Sequence, residues 1–457
     1  MNLSSFIILI GFFGVISLIL LSFKYKNNLN SKKNRFYLEF WFAPIIGILF
    51  LIFTLTINQA IIIKGIFGSE YIQPFAILIL FMSLAYICIS LDLTGFFEYL
   101  ALYVLKAAKN SGKRLFLYFF CFSSVLTLFT SNDIVILTIT PIIIYFAKYA
   151  KINPIPFLIA QFFAANIWSF ALYIGNPTNI IVAEAYDFTF LSYSSWTILP
   201  TITAGAVCFV LLWIVFRKQI PATYETPIII PKTALKDKNG AIFGTGILVV
   251  CLLLLSLAPF FYLQLWQIAF SFALIMLVKN MIYSIYSKYK GSNLQILQKS
   301  LSRMPWKIVP FIIGMFIMVE ALVASGWIDI FALSFSNLSD NLFISIFFMA
   351  FLSALACNLM NNQPMTILFT QILLSSSYQT SDQVKLGIIF ALIMGSNFGA
   401  NFTLVGSLAG LMWYKILSDN DVKISFKEFA KIGFLIMPIV ITLSCIVLYL
   451  ELLFWYV

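Results

Sequence analysis

The sequence contains no histidine and few charged residues, and these two deficits exclude several functional classes. Without histidine in 457 residues, HExxH metalloproteases, rhomboid-type serine/histidine dyads and haem ligation by histidine are ruled out. Charged residues make up 10% of the chain and hydrophobic residues 62%, which is the composition of a polytopic membrane protein. No Walker A motif is present, so we expect a protein that is not an enzyme and does not hydrolyse ATP by that route.

The six cysteines form no metal-binding or disulfide pattern. All of them lie within apolar runs, and none belongs to a CxxC or similarly spaced cluster. We therefore predict no metal site and no cofactor.

The net charge of +11 does not indicate a nucleic-acid-binding protein, because the basic residues lie in short loops between apolar runs. Lysine and arginine in such loops mark the cytoplasmic side of a membrane protein. If the loop from Lys24 to Arg35 is cytoplasmic, every basic residue except Lys64 and Lys385 falls on that side. We therefore expect a multi-pass protein of the plasma membrane, with the lipid bilayer and not nucleic acid as its partner.

Apolar runs of about 20 residues predict ten crossings, two interfacial helices and two re-entrant hairpins. The interfacial helices are predicted at 95–106 and 326–336, and the hairpins at 115–147 and 341–375. The crossings are predicted near 4–23, 39–58, 74–92, 155–184, 192–216, 241–259, 264–284, 308–325, 385–416 and 432–455.

This pattern predicts an all-α polytopic membrane protein built from two inverted-topology repeats. The first repeat covers 1–220, a cytoplasmic linker covers 221–240, and the second repeat covers 241–457. Each repeat has five crossings, one of them broken, and one re-entrant hairpin. Because five is odd, the second repeat is expected to be inverted relative to the first.

Polar interruptions of the apolar runs recur in the same order in both halves. The stretch ANIWSFALYIGNPTN (165–179) is echoed by SNFGANFTLVGSLAG (396–410), so that Asn166 falls on Asn397 at an offset of 231. The motif TSND (130–133) is echoed by NNQ (361–363), with Asn132 on Asn362 at an offset of 230. Two interruptions repeated at matched spacing are typical of an internally duplicated secondary transporter.

Such breaks bring helix ends and exposed backbone groups to bilayer depth, where they can bind a small solute. Asparagine amides supply both hydrogen-bond donors and acceptors. We predict no catalytic residue, and a substrate-binding set from both halves: Ser131, Asn132, Asn166, Gly175, Asn176, Thr178, Asn179, Asn361, Asn362, Asn397, Asn401, Thr403, Gly406 and Ser407.

Several segments between about residues 74 and 416 resemble the arsenite/antimonite efflux permeases of the ArsB type. They are ISLDLTGFFEYLALYVLK (89–106), FTSNDIVILTITPII (129–143), FRKQIP (216–221), MPWKIVPFIIGMFIMVEALVASGWID (304–329) and NNQPMTIL (361–368). The resemblance implies the ion transporter superfamily, with a scaffold domain and a transport domain of hairpins and broken helices. It also implies export of trivalent arsenic and antimony hydroxides, small inorganic substrates, coupled to proton entry.

One stretch departs from this family. The sequence IGNPTNI (174–180) is more similar to the GNPxN or GTPPN of silicon effluxers and anion symporters. A sodium-coupled anion symporter or a Na⁺/H⁺ antiporter of the same superfamily is therefore the alternative to a proton-coupled metalloid exporter. A separate ATPase and a second copy of the chain are further partners that the sequence leaves open.

Within the membrane runs, the acids considered for proton coupling are Asp133 and Glu320. An acid at bilayer depth is costly when ionised and is a functional candidate by default. The alternative for Asp133 is an ionised N-cap at the hairpin tip. Cys357, four residues before Asn361, could bind thiophilic arsenic, but packing near the tip is the simpler interpretation.

The predicted topology can be tested with a single reporter cysteine on a cysteine-free background. Both termini should face outward and a cysteine at position 230 should face the cytoplasm. It should therefore react with an impermeant thiol reagent in everted vesicles but not in intact cells. Labelling of position 230 from outside the cell would contradict the inverted-repeat scheme.

Overall fold

The computed structural model of the protein describes residues 2–27, 39–68, 72–225, 230–289, 296–336 and 341–456. Most of the basic loop used to orient the chain (Lys32, Lys33 and Arg35) lies outside these ranges. Helices dominate the described residues, and the only β-type pairing among them is an isolated bridge between Ser111 and Thr223.

The described residues of the first half contain ten α-helices and one short 3-10 turn. The helices are α1 (Leu3–Asn27), α2 (Phe42–Phe53), α3 (Gln59–Phe67), α4 (Pro74–Leu93), α5 (Phe96–Ala107), α6 (Gly112–Phe129), α7 (Asn132–Tyr149), α8 (Ile155–Trp168), α9 (Pro177–Ala185) and α10 (Phe190–Phe216). The 3-10 turn, Tyr173–Gly175, lies between α8 and α9.

The connection between the halves contains the 3-10 turn Pro231–Thr233, and ten α-helices follow in the described part of the second half. They are α11 (Lys238–Phe261), α12 (Leu265–Tyr289), α13 (Ile296–Arg303), α14 (Ile308–Ala324), α15 (Trp327–Ser336), α16 (Leu342–Met360), α17 (Asn362–Leu374), α18 (Asp382–Phe398), α19 (Leu408–Asp419) and α20 (Phe426–Trp455). The turn Gly399–Asn401 extends α18.

The predicted fold class, an all-α polytopic membrane protein, is confirmed. Eleven helices of the described residues are long and apolar enough to cross a membrane. Breaks occur where the sequence predicts them, after Phe129, Trp168, Met360 and Asn401. The inversion of one half relative to the other, and the division into crossings and hairpins, stay predictions.

Helix packing follows the same order in the two halves. The pairs α6–α8 and α7–α8 of the first half correspond to α16–α18 and α17–α18 of the second. A glycine precedes both short helices α5 and α15: Gly95 has φ +82° and Gly326 has φ +80°. This left-handed conformation favours glycine, and the offset of 231 residues matches that of the polar breaks.

The second predicted crossing, 39–58, is wrong as a single span. Helix α2 ends at Phe53, and α3 begins only at Gln59. The hydroxyls of Thr54 and Thr56 both donate to the carbonyl of Leu51 (3.2 and 3.1 Å), and Asn58 caps α3. These polar side chains satisfy the backbone groups released by the turn, so an apolar run is divided into two short helices.

The last predicted crossing, 432–455, also begins earlier than expected, because α20 starts at Phe426. Ser425 and Glu428 form a capping box that fixes this start. The carboxylate of Glu428 accepts from the backbone N–H of Ser425 at 2.8 Å, and the Ser425 hydroxyl accepts from the N–H of Glu428 at 3.1 Å.

The connection between the halves packs against the first half at both of its ends. Near its start, the N–H of Tyr224 donates to the carbonyl of Asn110, and the Tyr224 ring meets Phe146 edge-on with centroids 5.3 Å apart. Near its end, the N–H of Lys236 donates to the carbonyl of Thr94 at 2.9 Å. The described part of this linker is therefore a packed structural element and not a freely solvated connection.

Two sets of polar contacts join helices of the first half to helices of the second. Asn280 of α12 donates to Tyr86 and Ser90 of α4, both at 3.0 Å. Lys64 of α3 pairs with Glu320 of α14, with Nζ and Oε1 2.6 Å apart. The Glu320 side chain is 10% exposed and that of Lys64 is 48% exposed, so the lysine reaches solvent and the carboxylate does not.

This asymmetry predicts unequal effects of removing the two partners. Lys64→Gln should lower stability by about 1–3 kcal/mol because it leaves a buried carboxylate without its cation. Glu320→Gln should cost less, and Lys64→Gln/Glu320→Gln should approach the wild-type melting temperature. Thermal unfolding of the four proteins in detergent measures this, and a double variant no better than Lys64→Gln would refute the pairing argument.

Candidate functional site

Four helices begin at residues of the predicted site. Ser131 caps α7, Asn176 caps α9, Asn361 caps α17 and Ser407 caps α19, and in each case the side-chain oxygen accepts a backbone N–H of the first turn. Helix N-termini carry a positive partial charge and unpaired N–H groups. Helices α7 and α19 pack together, as do α9 and α17, so each pair combines one helix from each half.

A chain of side-chain amides joins the first predicted hairpin tip, at Asn132, to both broken helices. Asn132 Nδ2 donates to Asn166 Oδ1 at 3.0 Å, and Asn166 Nδ2 donates to Asn401 Oδ1 at 2.9 Å. All three residues are buried. The pairing of Asn132 with Asn166 connects the two polar interruptions of the first half, and Asn401 adds the second half.

Asn397 is the centre of a second set of contacts between the halves. Its Oδ1 accepts from Ser169 Oγ at 2.7 Å and from Asn176 Nδ2 at 3.0 Å. Its Nδ2 donates to Asn179 Oδ1 at 2.6 Å and to the carbonyl of Ile393 at 2.9 Å. The side chain thus makes four hydrogen bonds, which is the full capacity of an amide.

Two other asparagines donate to carbonyls beside the helix breaks. Asn179 Nδ2 donates to the carbonyls of Ser169 and Leu172 at the first break. Asn358 Nδ2 donates to the carbonyl of Gly399 at the second break, and also to that of Ala354 in its own helix. Unpaired carbonyls at bilayer depth are costly. These two side chains therefore permit the breaks to exist.

Gly175 is needed for the tight turn of the first break. A Cβ at this position would collide with the carbonyl oxygen of Ser169. The structure therefore supports packing as one reason for glycine at this predicted site residue.

The tip between α16 and α17 is bonded to the second break. The N–H of Asn362 donates to the carbonyl of Gly406 at 3.1 Å, and Asn361 Nδ2 donates to that of Val405 at 3.3 Å. The hydroxyl of Thr403 donates to Asn358 Oδ1 at 2.6 Å. Predicted residues of the second half therefore lie together as well.

Some polar groups of the site are left without a protein partner. The amide of Asn362 makes no side-chain hydrogen bond to any described residue, although Asn362 is 3% exposed. Three buried atoms, Thr178 Oγ1, Gln363 Oε1 and Asn401 Nδ2, also lack partners among the described residues. A buried polar group without a partner is costly unless a ligand satisfies it.

Asp133 lies in the first turn of α7 but is not its N-cap. The capping group is Ser131 Oγ, which accepts from the N–H of Ile134, so the N-cap interpretation of Asp133 is wrong. The backbone N–H of Asp133 donates to Asn132 Oδ1 at 2.9 Å. Among the described residues its carboxylate has no ion pair, and the side chain is partly exposed.

The second acid, Glu320, forms an ion pair with Lys64, and no hydrogen bond joins it to the amide network. This ion pair supports a structural role, and the part of Glu320 in proton coupling stays a prediction. Cys357 is fully buried and its Sγ donates to the carbonyl of Ala354 at 3.2 Å, which supports packing.

Three polar residues of the site were not assigned from the sequence: Ser169, Asn358 and Gln363. Ser169 and Asn358 have no polar counterpart at the repeat offset, so the duplication does not mark them. Gln363 is the repeat counterpart of Asp133, and that correspondence was the signal that could have identified it.

An all-helical membrane protein whose halves share one buried network of amides at broken helices is a membrane transporter. The chain belongs to the arsenical pump membrane protein family, ArsB, whose model matches residues 46–453. It is thus a multi-pass plasma-membrane transporter of the ion transporter superfamily, and that family moves small inorganic substrates.

Individual relatives show the same similarity along most of their length. An arsenical pump membrane protein of Escherichia coli is 31% identical over 378 residues, covering 81% of this chain and 86% of the relative. The one from Yersinia enterocolitica is 30% identical over the same shares. A 46 kDa membrane protein of Mycobacterium leprae (strain TN) is 27% identical over 377 residues, 82% of this chain and 86% of the relative.

The hydrogen bonds predict different effects for two asparagines of the second half. Asn362→Ala should keep the wild-type melting temperature and weaken apparent substrate affinity about 10- to 100-fold, because a free amide is removed from the site. Asn397→Ala should lower the melting temperature, because three side chains and one carbonyl lose a partner. Transport kinetics in vesicles and unfolding in detergent separate the two.

Asn132→Ala is expected to show both effects, because Asn132 belongs to the first tip and also bonds Asn166. Wild-type substrate affinity in Asn362→Ala, or in the double variant Asn132→Ala/Asn362→Ala, would show that the two hairpin tips do not bind the substrate.

Proposed function

We propose that the protein is a secondary transporter that exports trivalent arsenic and antimony hydroxides, or a related metalloid, in exchange for protons. The observation that carries the proposal is the chemistry of the site. Its partnerless groups are neutral amides and a hydroxyl, and the helix ends around them are N-termini.

A neutral trihydroxide such as As(OH)₃ fits these groups. Each hydroxyl both donates and accepts, which suits the amide of Asn362, the carbonyl oxygen of Gln363 and the amide N–H of Asn401. Lysine and arginine are absent from both tips and both breaks, so the site lacks the cations that a multiply charged anion usually requires. The names of the relatives from Escherichia coli and Yersinia enterocolitica agree with this substrate class.

Asp133 is the proton carrier of this proposal. Its carboxylate takes a proton on the outer side, the substrate leaves, and the proton is released inward when the site faces the cytoplasm. Export of one neutral molecule then moves one positive charge inward. A membrane potential of 100 mV supplies about 2.3 kcal/mol per charge, enough for roughly a 50-fold substrate gradient.

Sodium coupling is less well supported by the contacts at the breaks. Backbone carbonyls released by a break are suitable ligands for Na⁺. Here those of Ser169, Leu172 and Gly399 already accept hydrogen bonds from Asn179 or Asn358. The proposal requires neither a separate ATPase nor a second copy of the chain, because one chain supplies every residue of the site.

Everted vesicles loaded with acidic buffer provide the test. Wild-type protein should accumulate arsenite or antimonite when a pH difference or an interior-positive potential is imposed, without ATP and without Na⁺. Accumulation that requires a Na⁺ gradient would establish the alternative symporter or antiporter, and accumulation only with added ATP and partner protein would indicate an ATPase.

Asp133→Asn isolates the coupling step. The variant should still exchange labelled substrate across the vesicle membrane at equilibrium but should not accumulate it against a gradient, because it cannot carry the proton. Asp133→Glu is the matched control and should keep accumulation. Gradient-driven accumulation by Asp133→Asn would show that another group carries the proton.

A further inference from the structure

A cavity of about 820 Å³ lies on the predicted cytoplasmic side of the protein. Helices α5 and α7 line it, together with the linker and the ends of α4, α13 and α19. Its charged residues are Glu98, Lys236, Asp92 and Arg303, which form two ion pairs of 3.7 and 3.0 Å. The cavity is therefore large enough to hold water, and the charges of its wall are balanced.

Two of the lining helices lead from the cavity to the amide network. Helix α7 begins at Asn132 and contributes Thr138 and Tyr145 to the cavity wall. Helix α19 is capped by Ser407 and ends beside the lining residue Asn420. Leu137 of the wall lies four residues after Asp133 and so on the same face of α7. The wall residues of α7 thus begin about one helical turn from the predicted proton carrier.

The duplication identifies residues of the second half that correspond to the cavity wall. Glu98 and Asp329 each follow a left-handed glycine, Gly95 or Gly326, by three residues. Tyr145 of α7 corresponds to Ser375 at the end of α17, at the 230-residue offset of these two helices.

The two corresponding pairs differ in the structure. In the second half, Ser375 Oγ donates to Asp329 Oδ1 at 2.7 Å, and the N–H of Gln379 donates to Ser336 Oγ at 2.9 Å. These bonds fasten α15 to the end of α17. In the first half, no hydrogen bond joins Glu98 to Tyr145. Glu98 faces Lys236, the Tyr145 ring packs at a tilt of 48° against Tyr149, and both Glu98 and Tyr145 line the cavity.

We propose that the cavity is the inner entrance to the substrate site, and that Asp329–Ser375 and Glu98–Tyr145 are the outer and inner latches of alternating access. The structure then has the outer latch closed and the inner latch open. This inference rests on the proposed transport function and assigns the route and the gating residues. The closed latch is one exposed hydrogen bond of modest strength, so opening it and forming the corresponding bond at the inner latch needs little free energy.

The entrance is tested by the reactivity of Thr138→Cys in a variant whose six native cysteines are replaced. An impermeant thiosulfonate reagent applied to everted vesicles should modify position 138 at least ten times faster than Val125→Cys, and should block transport. Val125 is the matched control because it is 54% exposed on α6 and outside the cavity wall. Equal modification rates at the two positions would show that the cavity is not the inner entrance.

The latches are tested by a disulfide between Asp329→Cys and Ser375→Cys. Oxidation should stop transport while Thr138→Cys stays reactive from the inner side, and reduction should restore transport. A short bifunctional thiol reagent joining Glu98→Cys to Tyr145→Cys should instead protect Thr138→Cys at least tenfold. Continued transport with the outer pair oxidised, or no protection by the inner cross-link, would overturn the latch assignment.

The labelling rates need no transported substrate. The expected labelling pattern without any metalloid uptake would therefore refute the proposed function and leave the entrance standing. Uptake of arsenite by a protein whose Thr138→Cys does not react from the inner side would refute the entrance and leave the proposed function standing.

Discussion

A helix cannot be interrupted inside a bilayer unless protein groups replace the hydrogen bonds that the interruption removes. The structure meets this constraint with asparagine side chains. Asn179 and Asn358 serve the carbonyls of the two breaks, and Ser131, Asn176, Asn361 and Ser407 serve the N–H groups of the helices that follow. The same residues that permit the breaks also produce a polar centre, so the requirements of folding and of solute binding fall on one set of side chains.

Because Asn166 bonds Asn401 and Asn397 bonds Asn176 and Ser169, the two halves share this centre. Neither half contains a complete set of partners for its own amides. Movement of one half against the other must therefore either carry the network as a unit or exchange its hydrogen bonds for bonds to a solute. The packing of α7 on α19 and of α9 on α17 favours the first possibility, since each pair binds together helices of both halves.

The all-helical membrane fold and several members of the buried polar network could be predicted from the sequence, because polar residues inside apolar runs are conspicuous. Asn132, Asn166 and Asn397 were identified by the duplication, and they are hydrogen-bonded members of the network. Contacts between residues far apart in the chain were not predictable. The pairing of Lys64 with Glu320 depends on packing of α3 against α14, and the sequence offered only an acid at bilayer depth.

The linker between the halves also could not be predicted correctly from its composition. Its prolines and lysines are typical of an exposed connection, yet Tyr224 is 7% exposed against Phe146. Composition reports the average environment of a segment, whereas a single aromatic side chain and a few backbone bonds decide whether it packs.

The charge balance of the large cavity has a consequence for which solutes gather in it. Two acids and two bases, each paired with its neighbour, leave the cavity wall with no net charge. A wall of one sign would concentrate ions of the opposite sign inside the cavity. The wall itself therefore gives the abundant phosphate and carboxylate anions of a cytoplasm no electrostatic advantage over a scarce uncharged solute.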